Sequence, residues 1–354
     1  MADTLRIGTR GSQLALWQAS HIASLLRANG HAVQIEVIRT AGDRMQSKDF
    51  AAPEGLSPNG TGIFIKEIED ALLAGRIDLA VHSLKDLPTQ ITPGLTLAAI
   101  PPRADARDAF ICEEHWGLHM LPSGSRIATT SPRRQAMILA LRPDVTFVEM
   151  RGNIDTRLRK WEAGEADALV LACAGLDRLG LTAHVHQRFS VDELTPAPGQ
   201  GALALQVRCP SSPQHCHPER SAAESKDLQL NPTAALLLEP LSEDRDTTIH
   251  AIIRTLNCVP TEYAVTAERA VLAALGGGCQ LPLGAYCHQV DDHCHLHAMV
   301  VSPDGDQVAH VLQKSPIGTA ATDLGHSVAE ALKARGALEL LGEGVVISTE
   351  AHRA

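Results

Sequence analysis

Two series of short apolar runs alternating with amphipathic stretches, placed one after the other, constrain this 354-residue chain more than any other feature. In the first series LRIGT reads as a strand, residues 12–28 as a helix and VQIEVI as a strand. A helix over 65–73 and the strand IDLAVHS follow. After Ile100 the segment PPRADARD reads as a crossover. The rhythm then restarts with strand RIATT, a helix over 132–141, strand VTFVEM, a helix over 154–163 and strand ALVLAC. Strands that alternate with helices build parallel or mixed sheets covered by those helices, so the pattern predicts an α/β fold with two such units in series. The composition agrees: 44% of residues are hydrophobic but only 3% aromatic, as in aliphatic cores between sheets and helices.

The strand ALALQV, after the PGQG turn at 198–201, can complete either sheet. A turn-rich loop over 41–62 is long enough to cover a site. Residues 209–258, rich in Pro and Ser, show no sustained period and read as an insertion or linker, expected to be mobile and dispensable. A last unit of helix TEYAVTAERAVLAAL, strands LPLGAY, HLHAMVVS and VAHVLQ, and a long helix near 320–341 reads as a small α+β domain.

The start has no basic segment followed by an apolar core, and no run reaches about 18 apolar residues, so a cytoplasmic protein without membrane attachment is expected. Eight cysteines, several within apolar runs, are expected to be reduced thiols. A formal net charge of −10 argues against a nucleic-acid surface. Yet arginines gather between 126 and 178, beside expected helix starts, which points to a local anion site.

The motifs sharpen that site. VHSLKD ends a strand with Ser83, Lys85 and Asp86, at the edge where open sheets face their ligands; a plain surface ion pair is the alternative. In TTSPRRQ, after Thr129, Ser131 sits at an N-cap and Pro132 at the first helical position. Arg133 and Arg134 then occupy a first turn whose dipole disfavours cations, which makes sense if an anion lies in front. In MRGNIDTRL, Arg151 ends a strand, Asn153 is placed to cap the next helix and Arg157 lies on its first turn. Arg178 follows one strand later, and TRGS adds Arg10 and Ser12 at the first helix start. Guanidinium forks suit carboxylates, so a polycarboxylate ligand is the inference. Cys279, after three glycines at a helix end, is either an attachment point or nucleophile, or a small buried thiol. The cluster CHQVDDHCHLH alternates across two strands and lacks a second ligand pair, so no metal is expected there.

Taken together, RIGTRGSQLALWQ, FIKEIEDALLAG, DLAVHSLKDLPT, RDAF, TTSPRRQ, RGNIDTRL, LACAGLDRLG, PGQGAL, VTAERA and GGGCQLPLGAY resemble, in order, the porphobilinogen deaminase (hydroxymethylbilane synthase) family. The resemblance implies two periplasmic-binding-protein-like α/β domains with a cleft between them and a small α+β C-terminal domain. The first would span 1–101 with about 197–209, the second 102–196, the linker 210–258 and the third 259–354. It implies a transferase of tetrapyrrole (haem) biosynthesis that condenses four porphobilinogens head to tail into hydroxymethylbilane, releasing ammonia at each step. A dipyrromethane cofactor would hang by a thioether from Cys279. Asp86 matches the aspartate that holds pyrrole N–H groups and stabilises developing positive charge. Lys85, Ser83, Thr129, Ser131, Arg133, Arg134 and Arg157 match cofactor contacts; Arg10, Ser12, Arg151 and Arg178 match substrate contacts. A monomer is implied too. The chain departs from the family at Thr61, between Gly60 and Gly62, where a lysine is usual, although Lys66 is retained, and in the longer connection at 209–258. Two other readings compete: a non-catalytic cleft protein for a small polycarboxylate, and a transferase using Cys279 as a transient nucleophile.

Overall fold

A computed structural model describes residues 4–38, 65–112, 117–210, 244–278 and 281–341. In chain order the strands are β1 Leu5–Thr9, β2 Val33–Val37, β3 Leu79–Ser83, β4 Leu95–Ala99, β5 Asp108–Ile111, β6 Arg126–Ala128, β7 Thr146–Val148, β8 Ala168–Ala172, β9 Gln187–Arg188, β10 Leu203–Arg208, β11 Leu283–Val290, β12 His293–Val301 and β13 Val308–Pro316. The helices are α1 Gln13–Ala28, α2 Lys66–Leu73, α3 Pro132–Leu141, α4 Ile154–Glu162, α5 Cys173–Arg178, α6 Arg245–Arg254, α7 Val259–Ala274, α8 Ala321–Lys333 and α9 Ala337–Leu341. The mixed α/β fold expected from the sequence is the one observed.

The chain divides into two compact units: Met1–His82 with Gln90–Pro102 and Leu203–Glu262, and Ser83–Thr89 with Arg103–Ala202 and Tyr263–Ala354. The first unit holds a five-stranded sheet in the order β2-β1-β3-β10-β4. β1 runs parallel to β2 and β3, whereas β10 and β4 are antiparallel, so the strand after PGQG joins this sheet. Ser12 starts α1 by accepting a hydrogen bond from the Ala15 amide, and Ala19, Ile22, Ala23 and Leu26 form the stripe that α1 buries.

The expectation of a linker running to Cys258 is corrected here. Asp244 caps α6 by accepting from the Asp246 amide, and Ile249 and Ile253 are buried in the first unit's core. Burying each side chain contributes about 1.5–3 kcal/mol, and Asp246 takes a bidentate clamp from Arg208. The stretch looked aperiodic because this stripe is short and follows a Pro- and Ser-rich segment without a sustained period. The loop at 41–62 falls wholly, and the insertion at 210–258 in its larger part, outside the described residues.

The second unit carries a sheet ordered β7-β6-β8-β5-β9, with β6 parallel to β7 and β8, and β5 antiparallel to β8 and β9. β5 begins at the last residue of PPRADARD, the segment read as a crossover, and is not legible as a strand because DAFI is buried throughout and shows no alternation. The same unit includes the antiparallel meander β11-β12-β13, whose inner face packs on α7, α8 and α9. The long helix expected over 320–341 is two helices, because Gly336 adopts φ 81° between them.

Candidate active site

β3 leaves the sheet at Ser83 and tightens into a single 3-10 turn, Leu84–Asp86, that carries Lys85 and an exposed Asp86. Leu84 anchors the turn: its side chain is fully buried and its amide donates to the Ala202 carbonyl. The turn at 198–201 needs its glycine, since Gly201 has φ 86° and a Cβ there would lie 2.6 Å from the Ala104 carbonyl oxygen. Lys85 Nζ reaches Gln200 Oε1 at 3.4 Å, and Gln200 Nε2 donates to Asp108 Oδ1 at 3.0 Å. Burial lowers the Lys85 ammonium, an effect that the neighbouring Asp86 and Asp108 partly offset and Arg134 and Arg133 reinforce.

Asp108, fully buried at the start of β5, gathers the paired arginines of α3. Arg133 Nη2 donates to it at 2.7 Å and Nη1 to the Thr195 carbonyl at 2.7 Å. Arg134 donates twice to Asp108, at 2.7 and 3.1 Å, and once to the Val170 carbonyl. Burial alone would raise the Asp108 carboxyl, but Arg133 and Arg134 outweigh it and hold it far below the usual carboxylate range. The sequence placed an external anion in front of these arginines; the first anion they meet is the chain's own Asp108. The helix start is otherwise as expected, with Ser131 accepting from the Arg134 amide and the Thr129 hydroxyl accepting from the Ser131 amide.

Arg157 is a different case. Its Nε donates to the Gly152 carbonyl at 2.8 Å, and no carboxylate pairs with it among the described residues. Burial, reinforced by the nearby Arg134, lowers its guanidinium to about 10. Asn153 stands at the N-cap of α4 but makes no side-chain cap bond. Arg178 donates to the Gly201 carbonyl at 2.7 Å, and burial lowers it to about 10 against the opposing pull of Asp177. Arg151 is exposed, 3.3 Å from Glu149. The second unit therefore brings Lys85, Asp86, Arg133, Arg134 and Arg157 into one electrostatic neighbourhood. Arg10 and Ser12 belong to the first unit, at the end of β1 and the cap of α1.

Cys279 lies outside the described residues, but both approaches to it are described. Past α7 the chain passes through Gly276 and Gly277 at φ 108° and 72°, which end the helix. Arg269 on α7 donates to the Leu87, Pro88 and Thr89 carbonyls, so the helix leading to Cys279 holds the segment that follows Asp86. Next to Arg269 in the chain, the fully buried Glu268 takes a bidentate clamp from Arg103 at 2.6 and 3.1 Å and also accepts from the Gly199 and Cys287 amides.

Asp108, Gln200, Arg103, Glu268 and Arg269 escaped the sequence reading. RDAF, PGQG and VTAERA drew attention as segments, but the partners lie up to 182 positions apart.

The donor set fits a polycarboxylate cofactor. Lys85, Arg133, Arg134 and Arg157 outnumber Asp108 and Asp86, and a cluster with surplus positive charge away from water is relieved when carboxylates bind. Arg134 commits three N–H donors and Arg133 two, and a guanidinium has five.

Residues 5–214 match the family described as porphobilinogen deaminase, dipyromethane cofactor binding domain, and residues 262–334 match the porphobilinogen deaminase C-terminal domain. A porphobilinogen deaminase of Rubrobacter xylanophilus is 41% identical over 342 residues, covering 97% of this chain and 98% of the relative. One from Nitrobacter hamburgensis is 41% identical over 334 residues, covering 93% and 92%. Solved structures of lower likeness include the methionine-binding protein MetQ, 12% identical, covering 58% of this chain and 83% of that one at a TM-score of 0.38, which carries no functional argument. The chain belongs to the porphobilinogen deaminase family, with both its dipyrromethane cofactor-binding region and its C-terminal domain.

Proposed function

We propose that this chain is a hydroxymethylbilane synthase in which Asp86 is the catalytic carboxylate and Cys279 the covalent anchor of dipyrromethane. When bound, the cofactor supplies the pyrrole terminus on which four porphobilinogens are joined head to tail with loss of ammonia. Lys85, Arg133, Arg134 and Arg157, supported by Ser83, Thr129 and Ser131, hold its carboxylates. Arg10, Ser12, Arg151 and Arg178 meet those of the incoming substrate. The observation that carries this reading is Arg157: a guanidinium with no carboxylate partner among the described residues, beside a second guanidinium, stands ready for an external anion.

Asp86 occupies an exposed position at the end of an anchored turn, so its carboxylate faces a bound pyrrole without a competing salt bridge among the described residues. A fixed negative charge lowers the energy of the positive charge that grows on a pyrrole as its amine departs, and the same carboxylate can hold pyrrole N–H groups. Membership of an enzyme family favours turnover over the non-catalytic cleft protein. A permanent adduct, as opposed to one that turns over, separates this reading from the transient-nucleophile transferase. The chain would act as a cytoplasmic monomer without nucleic-acid or membrane partners. No helix among the described residues is long and apolar enough to cross a membrane. The domain scheme of 1–101 with 197–209, 102–196 and 259–354 belongs to this proposal.

The test is Asp86→Asn. The variant should keep the native circular dichroism and melting temperature while ammonia release falls by about 100-fold or more. Normal turnover would remove Asp86 from its role.

A further inference from the structure

The outer face of the C-terminal sheet is unusually rich in imidazoles. His288 pairs opposite His295, and Met299 opposite His310, so strand alternation brings His288, His295, His297 and His310 to one face while Cys287, Leu296 and Ala298 turn into the core. The rings of His297 and His310 are 6.3 Å apart between centroids, and those of His288 and His297 5.6 Å. Asp192, from the segment between β9 and β10, faces this group with Oδ1 3.2 Å from His297 Nδ1.

Two features set Asp192, His297 and His310 apart from a chance cluster. One donor atom from each lies within 4.8 Å of the other two. His297 is only 8% exposed, yet its Nδ1 makes no hydrogen bond of acceptable angle despite the nearby carboxylate, and His310 Nε2 is likewise a buried nitrogen without a hydrogen bond. A close but misaligned nitrogen and oxygen is the geometry of two ligands sharing one ion, since donors about 2.0–2.2 Å from a tetrahedral metal sit roughly 3–4 Å from each other.

We propose that Asp192, His297 and His310 form a site for a divalent transition cation of the Zn2+ class, with water completing the tetrahedron. Two imidazoles and one carboxylate suit Zn2+, Co2+ or Ni2+ better than Mg2+ or Ca2+, which prefer all-oxygen shells. Asp192 is exposed and adjusts at little cost. The run 287–297 was expected to hold no metal because its residues alternate across two strands and lack a second ligand pair. The set proposed here takes one residue from that run and two from other elements. A bound ion would pin the segment that ends in Thr195, whose carbonyl receives Arg133.

The experiment uses the full chain without an affinity tag, stripped with chelator and titrated with Zn2+ by calorimetry and with Co2+ by visible absorption. One Zn2+ per chain, tetrahedral Co2+ bands, and an affinity at least about tenfold weaker in Asp192→Asn and in His310→Gln support the site. His295→Gln, on the same face but outside the set, should bind as the parent does. Absence of binding at micromolar Zn2+, undiminished affinity in Asp192→Asn, or an equal loss in His295→Gln would overturn it. Because Asp192 is exposed, its variant tests the site without risk to folding.

Discussion

Asp108→Asn perturbs the cation cluster at the point where most of it converges. The native carboxylate accepts from Arg133 at 2.7 Å, from Arg134 at 2.7 and 3.1 Å and from Gln200 at 3.0 Å, all out of water. Asparagine preserves the volume but replaces one acceptor oxygen by a donor that faces guanidinium donors, and it leaves two buried cations without their shared charge. Breaking a buried pair on one side costs about 3–5 kcal/mol. At roughly 2–4 °C per kcal/mol for a unit of 150–250 residues, melting should fall by about 8–16 °C for a loss near the middle of that range. The pH dependence gives a second check. The folded-state carboxyl lies below its unfolded value near 4, so its stabilisation is complete above that value and is lost as pH falls through the folded one. The variant lacks this group, so the gap between the two proteins should hold from pH 7 to about 4 and narrow as the pH falls below that. Differential scanning calorimetry at several pH values decides the matter. A variant melting within about 2 °C of the parent at pH 7, or a gap that widens on acidification, would refute the reasoning.

Two further outcomes follow from single contacts. Burial lowers His82 to about 4 against the opposing hydrogen bond to Gln206, so the ring stays neutral in the fold while an unfolded histidine titrates near 6.5. Stability should therefore be full above pH 6.5 and decline by up to about 3 kcal/mol as pH falls toward 4; His82→Gln should flatten that limb in urea titrations, and an unchanged slope would contradict the assignment. Arg269→Leu releases the Leu87, Pro88 and Thr89 carbonyls from α7. It should lower kcat for ammonia release on the order of tenfold to a hundredfold by loosening the placement of Asp86, with KM less affected; an unaltered kcat would leave Arg269 without a positioning role.

The parts of this fold that were legible in the sequence are those written locally. The first helix was expected over 12–28 and runs Gln13–Ala28, because a Ser cap and an apolar stripe act within a few residues of each other. α3 begins at Pro132 for the same reason. The helix α6 was not legible: RDTTIHAIIR mixes β-branched residues with polar ones, and only contact with a distant sheet gives Ile249 and Ile253 a reason to be buried on one face. The candidate site divides along the same line. Lys85, Asp86 and the arginines stand in recognisable runs, whereas Asp108, Gln200 and Glu268 acquire meaning only through partners far along the chain. The cations are written in local runs, whereas the anion built in beside them, Asp108, sits 25 and 26 positions from its two arginines.

The central claim is that Cys279 carries a dipyrromethane and Asp86 works on what grows from it. Intact-mass spectrometry of the purified chain tests this most directly. The account predicts an adduct of two linked pyrrole units on the parent and on Asp86→Asn, and none on Cys279→Ser. An unmodified parent with full activity, or the same adduct on Cys279→Ser, would contradict it.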